Sequence, residues 1–128
     1  NKHPNVDSFQ SLVSVTLLSD EKSICIEGTI FANEDPRIVS IDGFRVDAVP
    51  SGHMLISRNI DRPGVIGFIG TTLGEHNINI GAMFNSRENI GGGALTVYSI
   101  DDPLPEDAQK KLISDDRITD IYPISLNK

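Results

Sequence analysis

Asn59-Ile60-Asp61-Arg62-Pro63-Gly64 is the segment whose residue types and spacing suggest chemistry. It follows a short strand-like run, Met54-Leu55-Ile56-Ser57-Arg58, and leads into Val65, Ile66, Ile69 and Leu73, an apolar stripe at helical spacing. Two polar side chains, Asn59 and Asp61, thus stand where a strand ends and a helix starts. The N–H groups of a first helical turn have no partner within the helix and attract anions. A carboxylate beside them attracts a cation. Together they suit a zwitterion, meaning a free α-amino acid. The competing reading is structural: Asp61 caps the helix, and Pro63 sits in its first turn, where a missing N–H is harmless.

Other residues that could carry chemistry fall short of a pattern. Gly64, Gly67 and Gly70 follow a strand, yet their spacing is G-x-x-G-x-x-G rather than the dinucleotide fingerprint G-x-G-x-x-G. Gly67, Gly70 and Gly74 are expected instead to form a smooth stripe that lets the helix approach a sheet. Gly91-Gly92-Gly93 lacks the Lys-Ser/Thr of a phosphate loop and reads as a turn. His3, His53 and His76 have no second ligand at usable spacing, so no metal site is expected. Asp101-Asp102 and Asp115-Asp116 fall at element ends, where caps and solvated surface are commoner than acid/base pairs. Cys25, the single cysteine, lies in an alternating apolar stretch and is expected as a buried small hydrophobe in a reducing, cytoplasmic setting. No catalytic residue is nominated.

The elements that position these residues divide into two halves. Residues 1–52 read as mostly β: Leu12–Leu18, Ser23–Ile30, Arg37–Ile41 and Phe44–Val49 alternate, and Asp42-Gly43 is a hairpin signal. A polar turn is expected at Ser19–Lys22, and Asn33-Glu34-Asp35-Pro36 precedes the third strand. Residues 53–128 run strand, helix, strand, strand, helix, strand, with Asn77 as a left-handed helix stop, a turn at Asn89–Gly92, a strand over Ala94–Ile100, a second helix after Pro103 carrying Ala108, Leu112 and Ile113, and a last strand over Ile118–Leu126. A βαββαβ order of this length implies an α+β, ferredoxin-like sandwich. With 18 acidic against 11 basic residues, the net charge of −7 argues against nucleic acid and anionic membrane as partners. No apolar run approaches the ~20 residues that span a bilayer. The start, Asn1-Lys2-His3-Pro4-Asn5, shows neither a Met nor an apolar core, which suggests a piece of a longer protein without a signal peptide.

Arg58 to Gly67, followed by Leu73-Gly74-Glu75-His76-Asn77-Ile78-Asn79-Ile80, resembles the core signature of ACT domains, most closely those ending bacterial D-3-phosphoglycerate dehydrogenases. Gly28 to Phe31, Pro36 to Val39 and Ile41 to Pro50 resemble the intervening, allosteric substrate-binding domain that precedes the ACT domain in the longer enzymes. The resemblance runs from about Leu12 to Leu126 and implies a partial intervening domain (1–52) joined to an ACT domain (53–128). It implies L-serine, or another small amino acid, as effector, bound where two ACT domains of a homodimer or homotetramer meet side by side. Asn59 matches a polar position after the first strand, often His or Tyr in relatives. Asp61 matches the residue gripping the amino group, and Arg62, Pro63 and Gly64 complete the loop. Asn79 matches an Asn that reaches the ligand from the neighbouring subunit. Arg37 matches a basic position for an anionic ligand in the intervening domain, and Arg45 is a nearby candidate. The resemblance further implies a parent that oxidises 3-phosphoglycerate with NAD, while this segment holds neither catalyst nor cofactor. An iron–sulfur L-serine dehydratase as parent, and a pure oligomerisation module, are the alternatives.

Overall fold

The computed structural model describes residues 9–19, 22–31, 36–87 and 92–126. The chain divides after Pro50 into two compact units. In the first, β1 (Phe9–Ser19), β2 (Lys22–Phe31), β3 (Pro36–Ile41) and β4 (Phe44–Ala48) form an antiparallel meander in sequence order. Alternation sets its faces: Phe44 and Val46 are buried, Arg45 and Asp47 exposed. Asp42 (φ 50°) and Gly43 (φ 84°) make the expected two-residue turn, with the positive φ angles a tight hairpin requires. The Asp42 carboxylate accepts from the Cys25 amide at 2.8 Å and so ties the turn to β2. Cys25 itself is half-buried rather than enclosed, with its sulfur 3.5 Å from the Ser14 hydroxyl.

The second unit is ferredoxin-like: β5 (His53–Ile60), α1 (Val65–Glu75), β6 (Ile80–Arg87), β7 (Gly93–Ile100), α2 (Glu106–Ile113) and β8 (Ile118–Ser125). Its antiparallel sheet has the order β6-β7-β5-β8, which leaves β6 and β8 at the edges. Leu55, Tyr98, Ile100 and Ile118 from the strands enclose a core with Val65, Ile69 and Leu73 of α1 and Ala108 and Leu112 of α2. Burying each of the larger aliphatic side chains contributes about 1.5–3 kcal/mol. Asn77 stops α1 with φ 62°; Ile78 N–H bonds Leu73 O and Asn77 N–H bonds Gly74 O, each at 3.0 Å. These are the two hydrogen bonds of a left-handed helix end, sealed by the apolar pair Leu73 and Ile78.

Several expectations change. Ile66 and Ile113, assigned to apolar stripes, are exposed. A Cβ added at Gly67, Gly70 or Gly74 would meet no heavy atom within 4 Å, so these glycines do not bring α1 close to the sheet. The inward face belongs to Val65, Ile69 and Leu73 at intervals of four, and the glycines fall on other sides of the helix. Residue His3 and most of the turns expected at Ser19–Lys22 and Asn89–Gly92 lie outside the described residues.

Candidate functional site

Strand β5 runs through Ile60, so Asn59 belongs to the sheet rather than to a loop beyond it. It pairs with Ala94 on one side and Ile118 on the other, beside a register shift between Arg58 and Asn59. Such irregularities re-aim a chain as it leaves a sheet. The exit is pinned on both flanks: Ile60 N–H donates to Arg117 O and Asp61 N–H to Gly92 O, each at 2.8 Å. Asn59 shares a face with core residue Leu55, and therefore points toward the helix layer, at 6% exposure. Its amide donates to Ile60 O at 2.8 Å, whereas Oδ1 is buried and has no hydrogen-bond partner among the described residues.

Asp61 does not cap the helix. Gly64 is the N-cap, at φ 92°, and among the described residues the helix start has no side-chain cap hydrogen bond. The reason is geometric. The left-handed turn at Gly64 starts the helix three residues after Asp61, and the carboxylate is engaged elsewhere. Asp61 Oδ2 lies 3.2 Å from an Arg87 guanidinium nitrogen at the end of β6. This contact is an ion pair by distance but not by alignment: Oδ2 is shut off from solvent and accepts no hydrogen bond of good geometry among the described residues. Arg62, Pro63 and Gly64 are exposed around the helix start. No acidic residue occupies the first turn of α1, so the positive end of its dipole is uncompensated there. Arg117 adds charge of the same sign. One of its nitrogens would stand 3.3 Å from a Cβ at Gly64, its guanidinium lies 5.9 Å from the Phe68 ring centre, and Asp115 holds it through two side-chain bonds of 2.8 and 2.9 Å. These bonds in turn draw the Asp115 carboxyl down to about 2.

Beneath the loop lies a buried polar row. Ser57 stands opposite Thr96, and Tyr98 follows two residues along β7 on the same face. Burial pushes the Tyr98 phenol up to about 12, with the Ser57 and Thr96 hydroxyls opposing part of the rise. Those hydroxyls are near without being aligned: Ser57 Oγ and Tyr98 OH lack hydrogen-bond partners among the described residues, and Thr96 donates to Asn85 Oδ1 at 2.7 Å.

Asn79 is not brought to Asp61 within one chain. It lies exposed just before β6, its carbonyl accepting from Asp101 N–H at 3.1 Å, while Arg87 and Asp61 sit at the strand's other end. An eight-residue strand separates the two ends by roughly 25 Å. In the first unit, Arg37 donates to Asp47 at 2.8 Å, and Arg45 stands exposed, opposite Ser40. His53 contacts Ser125 Oγ and His76 contacts Thr72 O, each at 2.9 Å. The described residues contain no group of three His, Cys, Asp or Glu able to hold a metal. The sheet of the second unit is antiparallel, so among the described residues it has no parallel-strand switch point of the kind that holds dinucleotides in open α/β sheets. Among the described residues, no helix is long and apolar enough to cross a membrane. Arg87 and Arg117 carried no sequence signal, because both act across strands far apart in the chain.

No family model matches the chain. It is 38% identical over 128 residues to D-3-phosphoglycerate dehydrogenase of Archaeoglobus fulgidus, covering 98% of the chain and 24% of the relative. The enzyme of the same name from Methanocaldococcus jannaschii is 34% identical over 94% of the chain and 23% of its own length. For that from Bacillus subtilis the figures are 32%, 92% and 22%. The chain thus spans about a quarter of the length of these curated relatives.

Proposed function

The chain belongs to the D-3-phosphoglycerate dehydrogenase family as a C-terminal fragment of that enzyme, and on that premise we propose that it is a regulatory region whose second unit is an ACT domain binding L-serine for feedback control. The observation that carries this reading is the pairing of opposite preferences across four residues. Asp61 offers a carboxylate oxygen sealed from water and short of an aligned donor. Gly64 to Gly67 offers a helix start with no acid in it. An α-ammonium suits the first and an α-carboxylate the second.

The distant position of Asn79 fits a site completed by two chains. Strand β6 is an edge, exposed along most of its length, with Ile80 and Met83 open to solvent. If two copies pair antiparallel along it, the start of one β6 lies beside the end of the other, and Asn79 of the partner subunit comes alongside Asp61. Exposed edges are templates for such pairing. In the whole enzyme, serine bound there would favour one quaternary state and slow the NAD-dependent oxidation of 3-phosphoglycerate, with NAD and catalysis in residues outside this segment. Couplings of this kind amount to roughly 1–3 kcal/mol.

Calorimetric titration with L-serine tests the reading. The chain should bind serine, and Asp61→Ala should weaken binding by about tenfold or more, the cost of removing a charged partner. An absence of heat with serine at millimolar concentration in the wild-type chain would reject it. The names of the relatives favour this parent over an iron–sulfur dehydratase. A dimer that binds no amino acid would favour a pure oligomerisation module.

A further inference from the structure

Resting on the sensing reading above, we propose that Arg87 is a placeholder cation: it occupies the ammonium position against Asp61 in the unliganded chain and must be displaced for an α-amino acid to bind. The two members of the pair are unequally held. The Asp61 side chain is 16% exposed and fixed through its own backbone to Gly92, whereas the Arg87 side chain is 50% exposed at the end of an edge strand. The 3.2 Å contact also leaves Oδ2 without an aligned N–H, although no water reaches that atom. A guanidinium presents its donors in a fixed plane, and approaching from β6 it satisfies charge but not direction. An ammonium turns three donors freely and can satisfy both. Arg87 lies against Oδ2, the carboxylate oxygen shut off from solvent, so the zwitterion's ammonium and Arg87 compete for that atom. Ligand binding then releases a positive side chain at the tip of β6, the edge on which the proposed pairing of subunits depends.

Titrating the wild-type chain, Arg87→Gln and Arg87→Lys with L-serine and with L-glycerate, which carries a hydroxyl where serine has its ammonium, tests this. Arg87→Gln should bind serine about two- to fivefold more tightly at low ionic strength, the range of a partly exposed ion pair. Its affinity for glycerate should not rise, Arg87→Lys, which keeps a cation able to meet Asp61, should bind serine no more tightly than wild type, and added salt should narrow the gap between wild type and Arg87→Gln. Serine binding that is unchanged or weaker in Arg87→Gln, with the wild type binding normally and both chains giving matching circular dichroism, would overturn the placeholder role alone. Serine binding by neither protein would instead remove the sensing reading and this inference with it. Binding by Arg87→Gln only would be its strongest support.

Discussion

The two helices of the second unit begin in opposite ways. Helix α2 follows Pro105 in an ordinary extended conformation (φ −67°, ψ 155°), carries Glu106 and Asp107 in its first turn and Lys110 and Lys111 in its last. Its dipole is compensated at both ends. Neither helix has a side-chain hydrogen bond from its N-cap residue. Helix α1 follows a left-handed Gly64 and has no acid in its first turn and no base in its last. It also contains Gly67, Gly70 and Gly74, which cost helix stability without easing any contact within the chain. Stability explains α2 completely. It does not explain α1, whose open positive end is the feature that the proposed binding of an α-carboxylate would use.

On their buried sides the two helices should be equal. Leu73 of α1 and Leu112 of α2 are both fully enclosed. Leu73→Ala and Leu112→Ala should each cost about 2–5 kcal/mol in urea unfolding. A much smaller loss at Leu73 would mean that α1 is poorly anchored altogether, and that its unusual start reflects looseness rather than use.

At the starts the helices should diverge. Gly64→Ala forces a side chain into a left-handed turn and against Arg117, at a cost of about 1–2 kcal/mol. Pro105→Ala keeps a conformation open to any residue and should cost less than that in thermal melts. Equal losses would erase the distinction. A finer test adds charge. Ile66 is 39% exposed in the first turn of α1, so Ile66→Glu should stabilise the fold by roughly 0.3–1 kcal/mol while weakening serine binding. Glu106→Gln should lose a similar amount of stability and leave serine binding untouched. Gain of stability with loss of binding, at one helix only, is the signature of an end kept open.

The same contrast explains what the sequence made legible. The βαββαβ order, the Asp42-Gly43 hairpin and the Asn77 stop depend on neighbours in the chain, and local chemistry dictates them. The role of Asp61 was half visible: its type and place were readable, but capping was the wrong structural alternative because Gly64 turns the chain and Arg87 takes the carboxylate. Arg87 and Arg117 were invisible, since each meets Asp61 or Gly64 only after strands distant in sequence are laid side by side. The packing stripe expected of Gly67, Gly70 and Gly74 does not form, because Val65, Ile69 and Leu73 take the inward face of α1 and leave the glycines on its other sides.

The smallest expected effect concerns Arg117, which couples the turn following α2 to the start of α1. Its bonds hold the Asp115 carboxyl at about 2, below the ordinary aspartate value of about 3.9. An acid with a lowered folded pKa contributes stability above its unfolded value and loses it as pH falls through the folded one. The contribution should therefore be complete above about pH 5, decline as pH falls from there and be gone only below about pH 2. Arg117→Gln should lower the melting temperature slightly at neutral pH, by an amount limited by the partial exposure of both partners, and the gap to wild type should close across that acid window. A gap that persists unchanged to pH 2 would show that Arg117 acts through its place over Phe68 and not through Asp115. In that case the positive charge beside Gly64 would be a packing feature, and the open end of α1 would owe its attraction for anions to the helix alone.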